Sequence, residues 1–120
     1  DWGDAEDYIK SMWLMLQQKI PDDYVIATGK SYSVRKFVEE AFRAIKVKIS
    51  WKGTGLNEVG YDAETNRIYI KISKIYFRPS EVYELKGNSD KARKILKWKP
   101  KIEFKEMVKK MVLNDIEKFK

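Results

Sequence analysis

The sequence contains neither cysteine nor histidine in its 120 residues. Without cysteine there is no disulfide and no thiolate metal site, and without histidine the commonest general base and the commonest zinc ligand are missing. Serine–histidine and cysteine–histidine chemistry therefore cannot be assembled within this chain alone. Long apolar runs are lacking too: nothing approaches the roughly 20 residues of a membrane span. The opening DWGDAEDY is acidic where a signal peptide is basic and then apolar, so a cytoplasmic setting is the expectation. What is present, 43% hydrophobic and 13% aromatic residues, excludes a disordered polymer and suits one globular unit with a core.

Positive charge is in surplus, at +7, and admits two readings. A basic surface attracts nucleic-acid phosphates. Twenty of the 25 basic residues are lysine, however, which suits a hydrated surface, whereas paired recognition of phosphate favours arginine. The solvated surface is the preferred reading.

Periodicity sets out the elements. Ala5, Tyr8, Ile9, Met12, Trp13 and Leu16 lie on one helical face, with Asp4 as cap and Asp7 at the third position. Pro21 and Asp22-Asp23 break that helix, and Tyr24 to Thr28 reads as a short buried strand ending at Gly29. Ser33 caps a second helix with Val34, Phe37, Val38, Ala41, Phe42 and Ile45 on its inner face. Val47, Ile49 and Trp51 alternate as a half-buried strand, and Ile68, Ile70 and Ile72 repeat the pattern across a glycine-containing loop. A short helix from Asn88-Ser89 carries Ala92, Ile95 and Leu96, closed by Trp98 and Pro100. The last helix presents Phe104, Met107, Val108, Met111, Val112, Ile116 and Phe119. The predicted order α-β-α-β-β-α-α describes a small mixed α/β unit, α+β-like, with a βαβ crossover between residues 24 and 51.

Three patterns resemble functional motifs and have plainer readings. Gly53-Thr54-Gly55 begins like a dinucleotide fingerprint, but Glu58 stands where the third glycine belongs and no helix follows. Tyr32 and Lys36 have the Tyr-x-x-x-Lys spacing of a proton-transfer pair, yet Tyr32 precedes the expected helix cap. Lys86, Lys91, Arg93, Lys94, Lys97, Lys99 and Lys101 surround Trp98, a possible stacking and charge site for nucleic acid. Ala92, Ile95 and Leu96 facing inward would instead leave the lysines on a solvated face. Asp22-Asp23 and Glu39-Glu40 read as a turn and a wet helix face.

FRPSEV, residues 77–82, is a different kind of segment. Pro79 biases Arg78 toward extended backbone, and Tyr76 and Phe77 are apolar enough to bury the local chain. A guanidinium so held matches a diphosphate, while Glu81 can accept from two ribose hydroxyls; an internal Arg78–Glu81 salt bridge is the alternative.

DWGDAEDYIKSMWLMLQ, YVIATGKSYSVRKFVEEAF, NEVGYDAET, YFRPSEVYELKGNSDKARKILKWKP and FKEMVKKMVLNDIEKF, in that order, resemble the C-terminal part of the GDP-mannose 4,6-dehydratase family, over essentially the whole chain. The resemblance implies that residues 1–120 are a GDP-sugar-binding domain fragment lacking an N-terminal Rossmann half, which would carry NADP and the catalytic side chains. It implies that Arg78 contacts the diphosphate and Glu81 the ribose, and that Asp1, Trp2 and Gly3 border the substrate site. In that family an arginine precedes DWG as a second phosphate contact, and this sequence begins just after it. The complete enzyme is expected to be a homo-oligomer acting on GDP-mannose, with no cofactor bound by this chain alone and no activity in it. Departures are Tyr83 after Glu81-Val82, Asn88 after Gly87, and Ile72-Ser73-Lys74 before the tyrosine. A stand-alone basic nucleic-acid-binding module and a structural or interaction fragment are the rival expectations.

Overall fold

The computed structural model describes residues 1–119. In chain order its elements are α1 (Ala5–Leu16), α2 (Val34–Ala44), β1 (Ile49–Lys52), a 3-10 turn at Gly55–Asn57, β2 (Val59–Asp62), β3 (Ile68–Lys71), α3 (Asp90–Ile95) and α4 (Phe104–Lys118). This is a small mixed α/β arrangement with one three-stranded antiparallel sheet, ordered β1-β2-β3. Contacts cluster into two compact units where the length alone reads as one. The first is Asp1–Ser33 with the chain from Glu84 onward, and the second is Val34–Tyr83.

In the first unit, α1 starts as its sequence dictates: the Asp4 carboxylate accepts from the Glu6 N–H at 2.9 Å. The face it buries is not the expected one. Ser11 and Asp7 are buried, while Ile9, Met12, Trp13 and Leu16 are exposed, Leu16 at 82%. Hydrogen bonding explains the inversion. Asp7 Oδ2 accepts from the N–H groups of Lys101 and Ile102 at 2.8 and 3.0 Å, its carbonyl accepts from Trp98 Nε1 at 2.8 Å, and Ser11 Oγ donates to the Tyr8 carbonyl. These polar anchors turn α1 so that Tyr8, Leu14 and Met15 pack on the core of Ala92, Leu96 and Trp98, along with Tyr24 and Ile26. Ile95, expected inside, is half exposed. Along α4 only Phe104, Met107 and Val108, on the first two turns, are buried; Met111, Ile116 and Phe119 are exposed.

Tyr24 to Thr28 forms no strand, so the βαβ crossover is absent among the described residues. The end of the stretch is held by a side chain rather than a ladder, since Thr28 N–H donates to Asp1 Oδ1 at 2.9 Å. An apolar β-branched run reads only as fitting a half-buried surface, and here no partner strand lies beside it.

The second unit contains the whole sheet. β1 pairs with β2 from Ile49↔Asp62 to Lys52↔Val59, and β2 pairs with β3 from Val59↔Lys71 to Tyr61↔Ile68, with an irregularity at Gly60/Tyr61. β2 falls in the stretch expected to be loop. Gly60 obscured it, and the glycine has a packing reason: a Cβ there would meet Ile70 Cδ1 and Trp51 Cζ3, each at 2.9 Å. Asp62 shapes the β2–β3 turn, accepting from Glu64 N–H at 3.0 Å and Thr65 Oγ1 at 2.6 Å. The hydroxyl, then the amide, hold the Asp62 carboxyl below its ordinary range. Helix α2 lies on this sheet: Phe42 meets Tyr69 at 5.1 Å between ring centroids, and Trp51 Nε1 donates to Glu39 at 3.2 Å. Arg35 sits over the Trp51 ring at 4.4 Å and pairs with Glu58. Glu40, buried, is held by Lys36 and Arg43.

Candidate functional site

Arg78 and Glu81 belong to the second unit, on a segment after β3 that forms neither helix nor strand. The structure brings them together, Arg78 Nη1 to Glu81 Oε1 at 3.7 Å, with the side chains 78% and 61% exposed. Such a long, wet contact contributes about 0–1 kcal/mol. The expected burial around them is absent. Tyr76, Val82 and Tyr83 are strongly exposed and Phe77 is half exposed, because the segment carries its apolar side chains without a neighbouring element in its own unit to receive them. Both charged groups are therefore available to a ligand, and the proline, not packing, limits the backbone.

Asp1, Trp2 and Gly3 belong to the first unit, and each has an internal partner. Asp1 Oδ1 accepts from Thr28 N–H at 2.9 Å and Thr28 Oγ1 at 2.6 Å; Oδ2 accepts from Gly29 N–H at 2.9 Å and Gly87 N–H at 3.2 Å. The backbone nitrogen of Asp1 donates to the Leu85 carbonyl at 3.0 Å. Trp2 stacks on Phe104 at 5.9 Å, and Tyr32 stacks on Phe104 at 4.0 Å with the rings 8° from parallel. Lys30 closes this group with a 2.8 Å pair to Glu103, whose hydrogen bond and charge raise the lysine's pKa. Gly3 lies against Tyr8, and a Cβ there would fall 2.6 Å from the phenol oxygen. Burial, then the charge of Asp7, push the Tyr8 phenol pKa up.

Thr28, Gly29 and Gly87 were not singled out from sequence, although glycine at both points was the available signal. Gly29 has φ +76°, and a Cβ at Gly87 would fall 2.3 Å from Ala27 Cβ. With Lys86, Asn88, Ser89, Asp90 and Arg93 the two glycines line an open polar hollow of about 320 Å³.

The motif look-alikes take their plainer forms. Gly53 to Gly55 is a tight turn closed by the 3-10 turn and followed by β2, and a Cβ at Gly53 would meet Asn57 O at 2.4 Å. With no helix N-terminus behind it, this segment does not fit a nucleotide pyrophosphate. Tyr32 is engaged with Phe104, and Lys36 with Glu39 and Glu40. In the basic run, Trp98 is 3% exposed and offers no stacking face. Lys91 pairs with Asp22 at 2.7 Å, and Arg93 donates to the Thr28 carbonyl and Ser89 Oγ. Among the described residues no helix is long and apolar enough to cross a membrane.

Comparison with known proteins places these features in a family. The family model described as GDP-mannose 4,6 dehydratase matches residues 1–111. The chain is 52% identical to a GDP-mannose 4,6 dehydratase of Dictyostelium discoideum over 120 residues, all of this chain and 34% of that relative. It is 50% identical to the Drosophila melanogaster protein of that name, covering 98% of the chain and 30% of the relative, and 48% identical to the human one, covering 98% and 32%. The chain belongs to the GDP-mannose 4,6 dehydratase family. It spans about a third of the length of the curated relatives it matches.

Proposed function

We propose that this chain is the substrate-positioning part of a GDP-mannose 4,6-dehydratase, a lyase that converts GDP-mannose to GDP-4-keto-6-deoxymannose with loss of water. The observation that carries the reading is the pairing of Arg78 and Glu81 within 3.7 Å of one another, both exposed, in a chain of this family. Arg78 would exchange its loose contact with Glu81 for paired hydrogen bonds to the diphosphate. Glu81, released, would accept from the ribose hydroxyls. Asp1, Trp2 and Gly3 enter as substrate-bordering residues of the first unit, through the segments they hold.

NADP belongs to the complete enzyme in this reading, and the Gly53 to Gly55 turn, followed by a strand and not a helix, does not fit its pyrophosphate. The contribution of this chain is orientation, which holds the reacting sugar in place; well-aligned geometry of this kind is worth about 7–11 kcal/mol. A Rossmann half, homo-oligomerisation and a cytoplasmic setting complete the proposal. A nucleic-acid role is disfavoured by the burial of Trp98 and the internal pairing of Lys91 and Arg93.

The test uses the full-length protein carrying this segment. Arg78→Ala should raise KM for GDP-mannose at least about tenfold, the scale of losing a charged hydrogen-bonding group. KM for a sugar fragment without phosphates should stay put, and the unfolding midpoint should hold, since the pair is exposed. Equal effects on both substrates would return Arg78 to a structural salt bridge. Absence of GDP-mannose turnover by the wild-type protein would overturn the reading altogether.

A further inference from the structure

We infer that Asp1 is a positioning residue, which holds the polar hollow of the first unit in shape for the substrate and does not itself bind it. The functional half of this inference rests on the dehydratase reading above; the structural half does not. A carboxylate has about four acceptor sites on its two oxygens. Asp1 receives four donors: Thr28 N–H and Oγ1 on one oxygen, Gly29 and Gly87 N–H on the other. It has no capacity left for a ribose or sugar hydroxyl.

What it holds together is defined by close backbone approach. A Cβ at Gly29 would lie 4.0 Å from the Gly87 carbonyl oxygen and 3.5 Å from Arg93 Nη2. The two segments therefore abut with no side chain between them, and both present N–H groups to one oxygen of Asp1. One acceptor oxygen satisfies both N–H groups, and a carboxylate does so about twice as strongly as a neutral oxygen. Arg93 braces the far side, its Nη2 donating to the Thr28 carbonyl at 2.9 Å and its Nε to Ser89 Oγ at 3.1 Å. The result is a ring from Asp1 through Thr28, Arg93, Ser89 and Gly87 back to Asp1. Lys86 and Arg93 line the hollow beside it, and their spacing follows from the ring.

Asp1→Asn is the informative change, because it keeps the shape but turns an NH2 donor toward Thr28 or toward the glycine N–H groups. In the full-length protein it should raise KM for GDP-mannose about tenfold, with kcat altered less than about twofold. Thr28→Val should move KM the same way by less, Thr28→Ser should restore it, and Asp1→Asn with Thr28→Val should be no worse than Asp1→Asn alone. Amide exchange at Gly29 and Gly87, read in the same protein, should accelerate together in Asp1→Asn. Unchanged exchange at either glycine, a KM equal to wild type, or a loss confined to kcat or to the melting temperature would overturn the inference. If Asp1→Asn does not fold, the Thr28 pair decides: a KM raised in Thr28→Val and recovered in Thr28→Ser supports it, and an unmoved KM overturns it. Should the wild type fail to process GDP-mannose, the dehydratase reading falls, and the exchange measurement alone decides whether Asp1 holds the two glycines.

Discussion

The two units reach order by different means. Ala27, Ala92, Leu96, Trp98, Phe104, Met107 and Val108, the buried hydrophobic residues of the described chain, all lie in the first unit. The second unit buries Glu40, Gly60 and Asp62, and its apolar side chains are partly covered, none of them fully. Its order comes from a hydrogen-bonded ladder, the Arg35–Trp51–Glu39 contacts and the Asp62 turn. A unit with a dry core resists local opening, whereas one held by half-exposed contacts opens at lower cost. The proposed ligand groups Arg78 and Glu81 lie in the second.

The largest test of this contrast is Trp98→Ala. Removing the central ring, its packing on Tyr8 and its bond to the Asp7 carbonyl should destabilise the first unit by about 3–5 kcal/mol. Loss of amide protection confined to α1, α3 and α4, read by hydrogen exchange, is the expected pattern; equal loss in the sheet would break the comparison. Next in size is Gly60→Ala, which forces a methyl against Ile70 and Trp51 and should cost about 1–3 kcal/mol, read at the β2 and β3 amides. A neutral outcome would mean the sheet is even looser than described.

The smallest effect is in acid. Because the Asp62 carboxyl has its pKa lowered in the folded chain, its contribution to stability is present above the unfolded value, near 3.9, and is lost as pH falls through the lower folded value. The β2–β3 turn should therefore loosen first in that window, and Asp62→Asn should remove the pH dependence of the protection of the Glu64 and Thr65 amides, measured against their intrinsic exchange rates. Protection that changes identically in wild type and variant would assign the acid response elsewhere.

Four helices were legible from spacing, because side chains three and four apart must share a face. The face that turns inward was not legible for α1. Its apolar stripe is the stronger pattern, but Asp7 and Ser11 are satisfied only on the inside, and hydrogen-bond demand at Trp98, Lys101 and Ile102 is invisible in a hydrophobicity pattern. Strand β2 was hidden because Gly60 looks like a loop residue until its cross-strand neighbours are known. Tyr24 to Thr28 shows the converse: strand composition cannot supply a partner strand. Arg78 and Glu81 stood out from sequence because arginine is rare here and proline stiffens its neighbour. The four donors of Asp1 did not, since they come from segments that only folding brings together.

The division of the chain also sets an order of events. Val34–Tyr83 is one uninterrupted stretch, whereas the other unit joins residues on both sides of it, with Asp1 bonded to Gly87 across 86 positions and Trp98 to Asp7 across 91. On a ribosome adding about 5–20 residues per second, the sheet can close before Glu84 has been made, while α1 waits for α3 and Trp98. Contacts of such long sequence separation form slowly even once the chain is complete. The unit with the drier core is thus the last to acquire it, and α1, with Tyr8, Leu14 and Met15 uncovered until α3 and Trp98 arrive, is the segment a chaperone would meet.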